Sequence, residues 1–346
     1  MTTHLTLSQL GWRPFFQQQL SLEEYENTVF ARVTEHHRSG FKLASEIGDI
    51  TLTASSSLPQ ITVGDWLLLD NDHHFIRCLN RLSEFSRKAA GSKLSAQLIA
   101  TNVDSAFIVS SLNHDFNLSR IERFIALTHE AGVEPVIVLT KADQCQDPQE
   151  YLEQIQCINS MLMVETVNAL DSDSVKVLAP WCGIGKTIAF IGSSGVGKST
   201  LINTLLADDT QQTGDIREDD SKGKHTTTGR SLHVMPTGGL LLDTPGMREL
   251  QLIACAEGVA ETFSDITELA KQCKFGDCQH QSEPQCAVQA AIESGALQER
   301  RFSNYQKLLR EQAHNGASLA EKRANDKALH KYYKSVINES KIFKVR

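Results

Sequence analysis

The sequence predicts a multidomain α/β protein. Three observations carry that expectation: short β-branched and aromatic segments up to Leu79, alternating apolar strands and helical stretches from about Lys93 to Leu250, and a helical region beyond Leu250 holding clustered cysteines and a histidine. At 346 residues the chain exceeds one ordinary domain. With 40% hydrophobic and 22% charged residues it is neither collagen-like nor wholly disordered. No apolar run approaches the roughly 18 residues of a membrane span. Met1 to Leu20, with Arg13, Pro14 and three consecutive Gln, lacks the basic start and apolar middle of a secretory signal. A cytoplasmic protein with no membrane partner is expected.

The first segment, 1–90, reads as an N-terminal extension and five short strands: Thr28 to Thr34, Phe41 to Ala44, Asp49 to Thr53, Asp65 to Leu69 and Phe75 to Leu79. Five strands without an intervening helix suggest a small barrel of the OB type, a fold that binds oligonucleotides or serves as a packing module. In the second segment, 91–250, Ala106 to Ser110, Pro135 to Leu139, Met161 to Val164, Ile188 to Ile191 and Gly239 to Leu242 are strand candidates, and Leu118 to Ala131 is helical. This alternation implies a mostly parallel sheet with helices on both faces. The third segment, 251–346, is helical.

Gly192-Ser193-Ser194-Gly195-Val196-Gly197-Lys198-Ser199, followed by Thr200, fits G-x-x-x-x-G-K-[ST] between an apolar strand and a helical run. Glycines let successive N–H groups face phosphate oxygens, Lys198 reaches the β and γ phosphates, and the Ser199 hydroxyl suits Mg2+. Thr140-Lys141-Ala142-Asp143 follows a buried strand, where a guanine-reading [NT]-K-x-D element belongs. Asp143, expected to be a buried carboxylate, would accept from guanine N1–H and the 2-amino group, a donor pair adenine lacks. Asp243-Thr-Pro-Gly246 is a D-x-x-G element whose Asp243 suits the Mg2+ shell and whose Gly246 N–H suits a γ phosphate. The stretch Lys222 to Thr228 reads as a switch loop, in which Thr227 or Thr228 completes the metal shell.

In an ordinary GTPase the base-reading motif follows the phosphate loop, but here Asp143 precedes Lys198 by 55 residues. The domain is circularly permuted. Val167-Asn168-Ala169 then falls where a backbone N–H meets guanine O6. Downstream, Cys273, Cys278, His280 and Cys286 place three thiols and an imidazole within 14 residues. They form a Cys3His set for one structural Zn2+ with no position left for water. Charge is uneven. The chain carries a formal −8, yet Arg300 to Arg346 holds 12 basic and 4 acidic residues, either a polyanion-binding tail or a solvated helical face.

With Val63-Gly-Asp-Trp66, T-K-A-D, G-S-S-G-V-G-K-S-T, K-H-T-T-T, D-T-P-G-M and the Cys273 to Cys286 segment, the chain resembles the circularly permuted GTPases of the small ribosomal subunit, the RsgA type. The resemblance implies an OB-type barrel, a permuted P-loop GTPase domain and a zinc-bearing helical domain. It further implies binding to the 30S subunit and its rRNA late in assembly, with ribosome-stimulated GTP hydrolysis. A monomer is expected. Thr140 stands where Asn is commoner, predicting a looser base-reading loop, and Met247 stands where many GTPases carry a water-orienting Gln. His225, on the switch loop, either positions the attacking water or contacts rRNA phosphate. The rival functions are an ATP-using kinase, which Asp143 opposes, and a non-catalytic GTP-dependent RNA-binding module.

Overall fold

The computed structural model describes residues 4–37, 39–88, 96–207, 230–243, 247 and 255–316. Two short helices, α1 (Pro14–Gln17) and α2 (Leu22–Asn27), precede β1 (Val29–His37), β2 (Gly40–Ser45), β3 (Gly48–Thr53), β4 (Trp66–Leu69) and β5 (Phe75–Cys78). A capping box between Ser21 and Glu24 starts α2. All five strands of the expected barrel are present. They pair antiparallel in the order β3-β2-β1-β4-β5, and among the described residues no ladder joins β3 to β5. Asp65 of Val-Gly-Asp-Trp is fully buried. It accepts from the Thr62 N–H (2.9 Å), Thr101 Oγ1 (2.8 Å) and Arg81 Nε (2.7 Å), which ties this turn to the following hairpin, β6 (Glu84–Lys88) and β7 (Ala96–Thr101). Arg32, 1% exposed, donates to the carbonyls of Leu10, Gly64 and Asn102. Its desolvation lowers the guanidinium to about 10.

The chain then alternates through β8 (Ser105–Ser111), α3 (Leu118–Glu130), β9 (Glu134–Thr140), α4 (Pro148–Gln156), β10 (Met163–Thr166), α5 (Ser172–Val175), β11 (Thr187–Gly192), α6 (Lys198–Leu206), β12 (Arg230–Val234) and β13 (Leu240–Asp243). Strands β10-β9-β8-β11-β13 are parallel neighbours in that order, as the alternation requires. Every residue of β8 and of β11 is buried, which accounts for the apolar runs Ala106 to Val109 and Ile188 to Ile191. β10 begins two residues later than the sequence suggests, because Asn159 Oδ1 takes the Met161 N–H into a turn (2.9 Å) and leaves Met161 exposed. β12 runs antiparallel to β13 and also pairs with the end of β1, Glu35 opposite Ser231 and His36 opposite Arg230. One sheet therefore runs from the parallel strands into the N-terminal strands. Neither β6, β7 nor β12 shows a readable apolar period.

Beyond Cys255 lie α7 (Ala256–Thr262), α8 (Ser264–Ala270), α9 (Ala287–Glu293) and α10 (Glu299–Gly316). α7 packs on α3 so closely that a Cβ on Gly258 would stand 2.1 Å from the Ala126 carbonyl oxygen. A second tie is ionic. Glu122 of α3, with no solvent exposure, accepts from Arg300 (2.9 and 3.0 Å), Arg301 (2.9 Å) and Asn304 (2.5 Å) of α10. Arg301 also clamps Asp265 through two bonds of 2.8 Å and lies over the Phe263 ring. These two arginines head the basic C-terminal stretch, and the polyanion or solvated-face alternatives do not apply to Arg301. It is spent inside the protein, and Arg300 is largely so. Residues 317–346, with most of that stretch, lie outside the described residues.

Replacing Glu122 takes from Arg300 its carboxylate and leaves Arg301 with Asp265 and the Thr262 carbonyl alone, a loss of about 3 kcal/mol. Glu122→Ala should therefore lower the urea midpoint of the C-terminal helices markedly. A loss below about 1 kcal/mol would show that water or a rearranged Asp265 replaces the carboxylate.

Candidate functional site

In the parallel sheet the chain moves outward from β8 to β9 and β10, then returns to add β11 on the other side of β8. The carboxyl ends of β8 and β11 flank this reversal, where open α/β sheets form their ligand crevice. Gly192 ends β11, and a Cβ there would meet the Val109 carbonyl at 2.4 Å, so only glycine lets the two strands approach. Gly195 and Gly197 take φ of +78° and +90°, bending the chain into α6, which begins at Lys198. Val196, 1% exposed, anchors the loop in the core under it. Lys198 Nζ donates to the Gly192 carbonyl (2.8 Å) and the Ser193 carbonyl, curling over the loop it serves. Ser193, Ser194, Ser199 and Thr200 lie along this loop and the first turn of α6.

Thr140 ends β9 and is fully buried. Its Oγ1 donates to the Val196 carbonyl (2.6 Å), with the Ser110 carbonyl also within reach at 3.3 Å, binding the Thr140–Asp143 turn to the phosphate loop. The expectation of a looser turn is therefore corrected: the threonine hydroxyl supplies the tie. Lys141 sits at φ +60°, and Ala142 opens a 3-10 turn that carries Asp143. Asp143 is exposed, not buried as the sequence suggested, because this turn projects past the sheet edge into solvent.

The third loop is fastened to both. The Ala142 N–H donates to the Val167 carbonyl (3.3 Å), and Thr204 Oγ1 of α6 donates to the Ala169 carbonyl (2.7 Å). Asn168 N–H is taken by Ser174 Oγ (2.9 Å), whereas among the described residues no acceptor lies on the Ala169 N–H. Ala169 is thus the better placed donor of the pair. Ser174 and Thr204 carried no motif. Asp243 closes β13 beside β11, and Met247 is buried in the apolar core at 2% exposure, unable to meet a nucleophilic water. Lys222, His225, Thr227, Thr228 and Gly246 lie outside the described residues.

The clustered cysteines meet as expected. Cys273 Sγ lies 3.5 Å from His280 Nδ1 and 3.8 Å from Cys286 Sγ, His280 Nδ1 lies 3.4 Å from Cys286 Sγ, and all four ligand atoms, with Cys278, fall within 4.8 Å of one another. A tetrahedron with Zn–S of about 2.3 Å and Zn–N of about 2.0 Å has edges of about 3.5–3.8 Å, so the set fits that ion. The Gln289 N–H points at Cys286 Sγ (3.4 Å) and Glu283 gathers the Gln279, Gln281 and Ser282 N–H groups, holding its carboxyl down to about 2. By contrast Cys78, Cys182 and Cys255 are scattered, and burial pushes each thiol up to about 12. None of the eight cysteines is disulfide-bonded.

The family described as RsgA GTPase matches residues 78–253, and a relative from Vibrio parahaemolyticus, "Small ribosomal subunit biogenesis GTPase RsgA 2", is 61% identical over 99% of this chain and 95% of its own length. The chain belongs to the RsgA GTPase family. A Mesorhizobium japonicum relative, "Small ribosomal subunit biogenesis GTPase RsgA", is 45% identical over 90% of this chain and 91% of its own. The crystal structure of YjeQ from Thermotoga maritima has the same fold, with a TM-score of 0.60 at 23% identity, over 82% of this chain and 98% of that one. YloQ, titled a circularly permuted GTPase, gives a TM-score of 0.58 at 25% identity, over 84% and 97%. The ABC transporter family also matches residues 182–325, a stretch that includes the phosphate loop.

An RsgA-family chain with this Cys3His geometry should bind one zinc. Metal analysis of protein purified without chelator is expected to find one Zn2+ per chain, lost in a Cys286→Ser variant. Chelation should melt residues around α9 and leave nucleotide binding in place.

Proposed function

We infer that this chain is a GTP hydrolase that binds the 30S subunit and assists its late maturation, with hydrolysis timing release from the particle. What supports this reading most is the convergence of the phosphate loop, the Thr140–Asp143 turn and the Asn168–Ala169 loop on one sheet edge, together with relatives named for small-subunit biogenesis. In this reading the loop N–H groups and Lys198 hold the phosphates, Lys141 lies along the base, Asp143 reads its N1–H and 2-amino group, and the Ala169 N–H meets O6. Ser199, Asp243 and Thr227 or Thr228 supply hard oxygen donors, a set suited to Mg2+, which when bound would offset phosphate charge. Because Met247 is buried, His225 is assigned to position the attacking water.

The finer architecture follows the same reading: an OB-type element within 1–90 that meets rRNA, a permuted GTPase unit over 91–250 and a zinc-bearing helical unit over 251–346. One chain supplies every nucleotide-binding element, so a monomer suffices. Among the described residues no helix is long and apolar enough to cross a membrane, which accords with work on ribosomal particles in the cytoplasm.

Asp143→Asn should weaken GDP binding by at least tenfold and erase the preference for GDP over ADP. Equal affinity in the variant and wild type would remove the guanine assignment and favour the kinase alternative. For His225→Ala, ribosome-stimulated phosphate release should collapse while co-sedimentation with 30S particles in a non-hydrolysable GTP analogue persists. Weakened sedimentation with normal turnover per bound particle would instead make His225 an rRNA contact.

A further inference from the structure

The connection from β8 to α3 sets a charged cluster against the phosphate loop. The run Asn113-His-Asp-Phe-Asn117 forms a braced turn: Ser111 Oγ donates to Asn113 Oδ1 (2.8 Å), the same oxygen accepts the Asp115 N–H (3.0 Å), and Asn117 caps α3 by accepting the Arg120 N–H (3.0 Å). From this turn Arg120 Nη1 donates to both oxygens of Asp115 (2.7 and 2.8 Å) and to Ser193 Oγ (2.6 Å). Ser193 is the second residue of the phosphate loop, and Lys198 Nζ already donates to its carbonyl. Two cations therefore hold one residue, through its hydroxyl and its carbonyl.

Arg120 is delivered from a rigid base. Two residues along α3, Glu122 is buried among Arg300, Arg301 and Asn304, and a turn further on Ala126 meets Gly258. Arg120 and Asp115 are each 36% exposed, and a pair so hydrated adds little to stability. Its effect is on geometry. We propose that Arg120, oriented by Asp115, is a positioning residue that holds Ser193 and so presets the phosphate loop to receive a nucleoside diphosphate or triphosphate. Anion-binding N–H groups that are already aimed need not be ordered when the phosphates arrive, and that saving appears as affinity. Arginine suits the task because its planar group meets a carboxylate and a hydroxyl together, whereas the ammonium of lysine sits on a flexible stem. The proposal rests on the nucleotide-binding role assigned above.

The test is GDP titration and steady-state GTP hydrolysis of the full chain, with melting recorded for each variant. Arg120→Ala and Ser193→Ala should each weaken GDP binding about tenfold, and the double variant should be no weaker than either, since both remove one bond. Melting should stay close to wild type, and in Arg120→Ala turnover at saturating GTP should persist while KM rises. Asp115→Asn and Arg120→Lys should give intermediate losses, which keeps the test open if Arg120→Ala folds poorly. GDP affinity within twofold of wild type in Arg120→Ala, or losses that multiply in the double variant, would overturn the positioning role. A wild-type chain that fails to bind GDP would overturn the nucleotide assignment itself.

Discussion

Glu122 is the constraint on which the arrangement of the chain depends. A carboxylate with no access to water is tolerable only if its charge is met, and here two guanidinium groups and a side-chain amide meet it. All three come from α10, more than 170 residues downstream, so the C-terminal helices can dock only in the register that brings Arg300, Arg301 and Asn304 to α3. Apolar packing of Gly258 on Ala126 supplies contact area, but area alone would permit sliding. The ions fix the register. The chain runs from the sheet edge at β13 into the helices that carry this clamp, so the phosphate-loop edge and the helical region with the Cys3His set share one scaffold, α3.

The permuted chain order costs the nucleotide edge nothing, because a parallel sheet collects its loops by strand position rather than by sequence. β9, β10 and β11 all point the same way, so Thr140, Thr166 and Gly192 end on the same edge, within two residues of one another in register, whichever is translated first. The bond from Thr140 Oγ1 to the Val196 carbonyl then replaces covalent proximity, holding the Thr140–Asp143 turn and the phosphate loop together across 56 residues. A buried hydroxyl whose one proton goes to the Val196 carbonyl is satisfied as a donor, which explains why threonine serves here.

At the N-terminal end, Arg32 and Asp65 play comparable parts. Arg32 gathers carbonyls from three separate segments, and Asp65 draws donors from Thr62, Arg81 and Thr101, two of which lie within two residues of carbonyls that Arg32 holds, so both charges are buried only because the segments meet. The pairing of β1 with β12 adds a backbone link from these strands to the sheet that carries the nucleotide loops.

Residue identity alone determined the phosphate loop, the permuted motif order, the Cys3His set and the buried strands of the parallel sheet. Those features live in short spacings or unbroken apolar runs, and their chemistry tolerates few substitutes. Tertiary structure decided what depends on partners distant in the chain. Arg301 reads as part of a basic tail until Glu122 is seen beneath it, and Thr140 reads as a weak variant until Val196 is seen above it. Arg120 carries no motif, and its significance comes only from Ser193, 73 residues away. Asp143 was expected to be buried, but its turn stands clear of the sheet. A side chain's local sequence sets what it can bond to, and only the folded chain decides which partner desolvates it.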